Sequence, residues 1–191
     1  MLRANSLALL LVILSACSYS FTALKNPYEK MGVKNVAVPI FKNKTIEGGS
    51  EVFFTDSLRL YLVSRSGKLE LVRSGADAYI DGEVSSIILT PASIQMGTTA
   101  TELAGGLPAD RLLATTYTIT ATVKLKMIRT KDEKILWTNS FSQSQTMNSG
   151  SYTDERETSN VFIKESNKRA AIQSLADLMM KFAVDSLLEE F

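Results

Sequence analysis

Residues 116–127 contain the pattern that most constrains the fold of this chain. Threonine and lysine alternate there with apolar residues without interruption, and the apolar set is Tyr117, Ile119, Ala121, Val123, Leu125 and Met127. Successive side chains of a β-strand point to opposite faces of the sheet, so strict alternation is typical of a strand with one buried and one solvated face. We therefore predict a long strand in a sheet that is covered on one side.

A polar turn and a second alternating segment follow this strand. Residues 130–134 are all polar, and the segment from Ile135 to about Gln145 places Trp137 and Phe141 on one face. This order predicts a β-hairpin whose strands exceed the usual length of about five or six residues.

Shorter patterns predict the remaining elements. Alternation of apolar residues predicts strands at residues 33–40, 69–72 and 78–89. Apolar residues recurring at helical spacing predict helices over about 50–64 and 160–190. The chain thus reads as strand, helix, two strands, a hairpin and a closing helix.

The same patterns predict which side chains are buried. In the strand at residues 78–89 the shared apolar face is Ala78, Ile80, Gly82, Val84 and Ile88. In the long C-terminal helix the apolar stripe is Ala171, Leu175, Leu178 and Phe182, flanked by Ile172, Met179 and Ala183. Residues 90–114 show no sustained period and contain several glycines and prolines, which predicts a long loop.

These elements together predict the α+β class. One mixed or antiparallel sheet of about four to five strands, with both helices packed on its apolar face, would bury every stripe in a two-layer sandwich. The length fits one domain, which we assign to residues 31–191.

The N-terminus is typical of an exported protein. Arg3 precedes an apolar run over residues 7–14, which is too short to span a bilayer and predicts a signal peptide over residues 1–16. The run closes on Leu14-Ser15-Ala16-Cys17, which resembles the lipobox of bacterial lipoproteins. In that motif the cysteine carries fatty acyl chains such as palmitate, and the chain is cut just before it.

The lipobox resemblance implies a lipid anchor at Cys17, followed by a tether over residues 17–30. In the sorting pattern of such proteins an aspartate after the cysteine favours the inner membrane. Ser18 stands there, so the resemblance implies the cell outer membrane, with the domain in the periplasm. A free thiol after ordinary cleavage and an uncleaved N-terminal anchor are the alternatives.

The composition of the chain limits the kinds of partner and reaction that we expect for it. The chain has 21 Lys and Arg against 20 Asp and Glu, and it contains no histidine. Near-zero net charge predicts no nucleic-acid partner. Histidine is the usual general base and the commonest nitrogen ligand of zinc, so we expect no enzyme, no cofactor and no metal site.

Five basic residues suggest a binding surface on the hairpin. This basic cluster consists of Lys124, Lys126, Arg129, Lys131 and Lys134, and within the hairpin only Asp132 and Glu133 oppose it. Cations on a rigid ribbon can bind phosphate groups through charge-assisted hydrogen bonds. A charged, soluble tip that discourages edge pairing is the alternative interpretation.

Three stretches resemble the lipopolysaccharide-assembly lipoprotein family LptE. The predicted mature start, Cys17-Ser18-Tyr19-Ser20-Phe21, is similar to a Cys-Gly-Tyr-x-Phe opening, with Ser18 in place of glycine. Residues 36–45, Val-Ala-Val-Pro-Ile-Phe-Lys-Asn-Lys-Thr, resemble the family's first strand and turn. Residues 76–84, Ala-Asp-Ala-Tyr-Ile-Asp-Gly-Glu-Val, resemble its later Ala-Asp…Gly strand.

The resemblance implies a protein that is not an enzyme. Proteins like LptE sit partly inside the large outer-membrane β-barrel LptD, help it assemble and assist delivery of lipopolysaccharide to the outer leaflet. Some bind lipopolysaccharide through basic residues, which would give the basic cluster a phosphate-bearing ligand. Curli-secretion lipoproteins and activators of penicillin-binding proteins share the Val-Ala-Val-x-x-Phe and Ala-Asp…Gly patterns, and they are the alternative.

Overall fold

The computed structural model describes residues 26, 28–65, 69–96, 112–148 and 165–189. The predicted signal peptide, Cys17 and most of the predicted tether lie outside these residues.

Six strands and two α-helices are found in the described part of the chain. In order they are β1 (Asn35–Ala37), β2 (Lys42–Asn43), α1 (Ser50–Ser64), β3 (Glu70–Leu71), β4 (Ala78–Met96), β5 (Leu112–Arg129), β6 (Ile135–Asn148) and α2 (Glu165–Glu189). A short 3₁₀ turn, Glu29–Met31, precedes β1.

The strands form one mixed sheet in the order β3-β1-β4-β5-β6, with β2 beside β4. The three short strands pair in parallel with their neighbours, whereas β4, β5 and β6 pair antiparallel. The α+β prediction is confirmed. The sheet exceeds the predicted number of strands because β2 has only two residues, too few to produce a periodic pattern.

Both helices contribute to one core with the apolar face of the sheet. Helix α1 contacts β2, β3 and β4, and α2 contacts β5 and β6. The Ser57 hydroxyl donates to Asp177, and Arg65 pairs with Asp185, so the two helices lie side by side and run parallel. Among the largest fully buried side chains are Tyr28, Phe54, Leu58, Leu62, Ile80, Ile119, Leu125, Met127, Leu175, Met179, Met180 and Leu187.

The predicted apolar face of β4 is wrong beyond Val84. The register with β5 shifts between Val84 and Ser86, so one extra residue forms a bulge. A bulge exchanges the two faces of the strand that follows it. As a result Ile87 and Leu89 pack against the core, whereas Ile88 is exposed.

The predicted loop over residues 90–114 is wrong at both ends. Strand β4 continues to Met96, which pairs with Leu112 at the start of β5. Pro91 is tolerated because, among the described residues, no strand pairs with the second side of β4 at that level. Residues 97–111 lie outside the described part of the chain.

The predicted stripe of α2 is wrong in its second half. Ala171 and Leu175 are buried, but Leu178 and Phe182 are 42% and 46% exposed. The helix packs against both the sheet and α1, and its buried face is therefore broader than one stripe and rotated from it. That face consists of Ala171, Ile172, Leu175, Ala176, Met179, Met180, Ala183, Val184, Leu187 and Leu188.

The end of the predicted tether belongs to the packed structure. Tyr28 is fully buried, and its hydroxyl donates to the Leu187 carbonyl near the end of α2 at 3.0 Å. The segment before β1 is therefore held against the last turns of the C-terminal helix.

Candidate functional site

The structure places the basic cluster along one hairpin. Lys124 and Lys126 project from the exposed face of β5, Arg129 is its last residue, and Lys131 and Lys134 lie in the turn before β6. The predicted hairpin thus gathers all five cations near one end of the sheet.

The hairpin turn is fixed to the turn that precedes β4. The Thr130 amide donates to the Asp77 carbonyl at 2.8 Å, and the Thr130 hydroxyl donates to the Ala76 carbonyl at 2.9 Å. The Arg129 amide donates to the Lys134 carbonyl at 2.9 Å and closes the turn. The tip therefore holds its lysines on an anchored backbone.

Arg129 has a structural role at this tip. Its Nε and Nη2 atoms donate to the two carboxylate oxygens of Asp132 at 2.8 and 2.7 Å, and Nη1 donates to the Met31 carbonyl at 2.9 Å. The hydrogen bond from Arg129 lowers the pKa of Asp132, and the same bond raises the pKa of Arg129. Each of the three guanidinium nitrogens already donates one hydrogen bond, and the Asp132 carboxylate offsets the charge, so Arg129 is less suited than the exposed lysines to bind an external anion.

Acidic residues of the neighbouring strand lie opposite the two lysines of β5. In the β4–β5 register Glu83 is the partner of Lys124, and Asp81 is the partner of Lys126. Asp81 also pairs with Lys42 of β2 at 3.1 Å. Strand pairing therefore adds carboxylates from about forty residues away in sequence to the two acids of the turn that oppose the basic cluster within the hairpin.

A half-open depression of about 570 Å³ lies between the hairpin tip and the 3₁₀ turn. Lys131, Arg129, Asp77 and Asp132 all contribute to its lining. Hydrogen bonds from the Asn35 and Lys34 amides lower the pKa of Asp77, so this carboxylate remains charged at neutral pH. The depression therefore combines both signs of charge, and within the described part of the chain its Lys131 forms no ion pair.

A second depression, of about 550 Å³, lies beside β1, β3 and α1, and sequence reasoning missed it. Arg59 and Arg73 contribute to its lining, and the Arg59 guanidinium donates to the Val38 carbonyl at 3.2 and 2.7 Å. Neither arginine belongs to a recognisable motif, so no sequence signal would have found this site.

Two further findings concern the described residues only. They contain no group of three or more side chains arranged to hold a metal ion. None of the helices they form is long and apolar enough to cross a membrane.

Comparison with known families settles the classification. The family model for lipopolysaccharide assembly, LptE, matches residues 33–188, from the approach to β1 to the last turn of α2. The chain belongs to the LptE family. The matched region of this LptE-family protein includes the basic cluster but not Cys17. Among curated proteins no sequence matches the chain.

Several solved structures are similar to this LptE-family chain at low sequence identity. Protein XCC0632 from Xanthomonas campestris is 11% identical, with 90% of this chain and 88% of that chain covered and a TM-score of 0.48. Protein CT253 from Chlamydia trachomatis is 13% identical, with 83% and 99% covered and a TM-score of 0.46. A PelC variant from Paraburkholderia phytofirmans, solved as a dodecamer, is 12% identical, with 81% and 86% covered and a TM-score of 0.41.

The two described stretches that resemble LptE meet in the structure. The Asp77 carboxylate accepts hydrogen bonds from the Lys34 and Asn35 amides, both at 3.0 Å, and so joins the start of β4 to the start of β1. Further along, the ring of Phe41 covers Gly82. These signature residues of the LptE-family chain are explained by strand packing, and they need no ligand to account for them.

Proposed function

We propose that this protein acts in lipopolysaccharide transport and assembly as a lipid-anchored plug and assembly partner of an LptD-type outer-membrane β-barrel. The family match carries the proposal, because it spans residues 33–188 and thus every strand and nearly all of both helices. The role is binding and assembly, without catalysis.

In this proposal, acyl chains on Cys17 hold the domain at the inner face of the outer membrane. Asn26 is hydrogen-bonded to Val33 and Tyr28 is buried in the domain, so at most residues 17–25 are left as a tether, with a maximum reach of about 30 Å. Confinement to the same membrane raises the effective concentration of the domain near the barrel without adding any contact.

Replacing Cys17→Ser tests the anchor. The variant should keep the folded domain, measured by circular dichroism and thermal unfolding, but should leave the outer-membrane fraction. Cys17 lies outside the matched region and before the first residue that the structure describes, so loss of the fold itself would contradict this role.

Lipopolysaccharide phosphates are the proposed ligands of the basic cluster. The exposed lysines Lys124, Lys126, Lys131 and Lys134 supply the ammonium groups that contact phosphate. Arg129 contributes by holding the tip in place, since three of its five N–H donors are already bound to Asp132 and Met31.

Charge reversal tests this surface. The double variant Lys124→Glu and Lys126→Glu should bind lipopolysaccharide more weakly than the parent protein, and the difference should shrink as salt is added. Lys181→Glu on the exposed side of α2 is the matched control and should bind like the parent. Unchanged binding by the double variant would show that these lysines do not bind lipopolysaccharide. It would not contradict the proposed partnership with the barrel.

Purification of the acylated protein from outer membranes tests the partnership. A large β-barrel recovered in stoichiometric amount is the expected result. Recovery of self-assembled rings, or of a cell-wall synthase, would instead favour the curli-secretion class or the penicillin-binding-protein activators.

A further inference from the structure

The second depression, beside β1, β3 and α1, lies where two neighbouring parallel strands end. Strand β1 ends at Ala37 and β3 ends at Leu71, and the residues that follow each strand continue the lining. In sheets with parallel strands, ligands commonly bind just beyond the carboxyl ends of the strands. The volume of about 550 Å³ falls within the range of about 300–1,000 Å³ that is usual for small-molecule sites.

Most of the lining of this depression is apolar. It consists of Ala37, Val38 and Pro39 on the side of β1, and of Leu71 and Val72 on the side of β3. Val38 is buried and Leu71 packs partly buried against the core, so the fold holds these walls in place. Walls of this kind favour a ligand with an apolar part, because binding removes apolar surface from water.

Arg59 supplies one fixed cation to the depression. Its Nε and Nη2 atoms donate to the Val38 carbonyl, and Nη1 donates to the Asp56 carboxylate at 3.3 Å. A guanidinium group has five N–H donors, so these bonds leave two of them for another acceptor. Asp56 offsets the charge of Arg59 only in part, because the Asp56 side chain is 64% exposed to solvent.

Arg73 supplies a second cation, and this one has no partner. It is exposed, and within the described part of the chain it forms neither a hydrogen bond nor an ion pair. All seven residues that line the depression are described, and none of them carries a carboxylate. The depression therefore combines two guanidinium groups with apolar walls and has no acidic residue in its lining.

We propose that this depression binds a small amphiphilic anion, in which one phosphate or carboxylate group is attached to an apolar chain. The planar guanidinium groups match the oxygen atoms of either anion, and the apolar walls hold the chain. This site goes beyond the proposed function and does not depend on it. Arg59 reaches the site from α1, on the helix side of the sheet, whereas Lys124 and Lys126 project from the exposed face of β5.

Protection of Arg73 from phenylglyoxal, a reagent that modifies arginine side chains, tests the site in the full-length acylated protein. The protein is treated in non-ionic detergent with octyl phosphate or with octanoate, and the modified residues are identified by mass spectrometry. Inorganic phosphate and octanol supply the two parts of the ligand separately. Arg169 is the internal control, because it is exposed and lies on α2, outside this depression.

Octyl phosphate, octanoate or both should slow the modification of Arg73 severalfold and leave that of Arg169 unchanged. The better of the two probes identifies the anionic group. Equal protection by inorganic phosphate would show that the apolar walls do not contribute, and equal protection by octanol would show that the cations do not. Either result, or no protection by both amphiphiles, would overturn the proposal.

Calorimetric titration of variants tests the roles of the lining residues, with detergent alone as the blank. Arg73→Gln should weaken binding of the better probe roughly tenfold, because hydrogen bonds to a charged group are lost. Val72→Ser should also weaken it, because one wall becomes polar. Arg169→Gln is the matched control and should bind like the parent protein, and circular dichroism checks that each variant is folded.

The double variant Lys124→Glu and Lys126→Glu separates this site from the proposed lipopolysaccharide surface. It should bind the amphiphilic probe as the parent protein does. Loss of probe binding in the double variant, together with parent-like binding by Arg73→Gln, would place the anion on the basic cluster and refute this site.

Discussion

The ring of Phe41 lies directly against the backbone of Gly82, in the space that a side chain on Gly82 would occupy. Phe41 is buried just before β2, and Gly82 lies in β4, beside Glu83, the partner of Lys42. This contact lets the parallel strand β2 approach β4 under a large aromatic side chain. It gives a packing reason for both residues, which belong to the two stretches that resemble LptE.

Substitution Gly82→Ala should lower the free energy of unfolding by about 1–3 kcal/mol, because the added methyl group collides with the Phe41 ring in a packed core. Urea denaturation measures the change. Gly48→Ala is the control and should be close to neutral, since no atom lies within 4 Å of a Cβ built there. Adding Phe41→Leu to Gly82→Ala should recover part of the loss, and a fully stable Gly82→Ala protein would contradict the close contact.

Asp77 should make stability depend on pH. Backbone hydrogen bonds from Asn35 and Lys34 lower its pKa below the ordinary value of 3.8. Its stabilising contribution is therefore complete above that value and is lost as pH falls through the lowered pKa. Asp77→Asn should unfold at a lower temperature than the parent protein at pH 7.

The gap between the Asp77→Asn and parent melting temperatures should narrow when the pH is lowered below the ordinary aspartate pKa. Glu29→Gln, which removes an exposed carboxylate in the 3₁₀ turn, is the control. A gap of constant size from neutral to acidic pH would show that the charge of Asp77 is not responsible.

Ser57 should contribute to the contact between the helices. It is only 6% exposed, and its hydroxyl donates to the Asp177 carboxylate. Ser57→Ala should cost about 1.5 kcal/mol of stability, because a hydrogen bond to a charged group is lost inside the helix pair. Ser174→Ala on the exposed side of α2 should be nearly neutral in the same denaturation experiment.

Lys168 should connect the start of α2 to the loop before α1. It pairs with Glu47 at 2.8 Å and with Glu165 at 3.0 Å, and the hydrogen bond to Glu47 is the main cause of its raised pKa. The contribution of Lys168 is complete at pH values below its ordinary pKa of 10.5 and is lost as pH rises through the raised value.

Glu47→Gln should therefore lower stability at pH 7 by no more than about 1 kcal/mol, and the loss should fade in strongly alkaline solution. Glu165→Gln should have a smaller effect, because its side chain is 69% exposed. A larger effect for Glu165→Gln than for Glu47→Gln, measured by thermal unfolding, would contradict this order.

Local patterns were sufficient for the elements with strong periodicity. The alternation at residues 116–127 lies inside β5, and helix α1 occupies the predicted residues 50–64. The buried face of β4 that alternation predicted is wrong after Val84. A bulge depends on how two strands pair, so the sequence of one strand does not reveal it.

For the basic cluster, too, the sequence predicted part of the arrangement and contacts between distant residues decided the rest. Its five residues were identifiable from the sequence, and their common location followed from the hairpin. The acids opposite Lys124 and Lys126 depend on the register of β5 against β4, and the bonding of Arg129 to Met31 depends on a contact between residues 98 positions apart. Neither can be read from neighbouring residues.

The sequence by itself determined the α+β class, the long hairpin and the resemblance to LptE, because side-chain periodicity and short motifs are local properties. Tertiary structure decided which charges face each other, which face of β4 is buried after the bulge and why Leu178 and Phe182 are exposed. These outcomes depend on the sheet register and on the position of α2 between α1 and the sheet. They arise from contacts between distant parts of the chain.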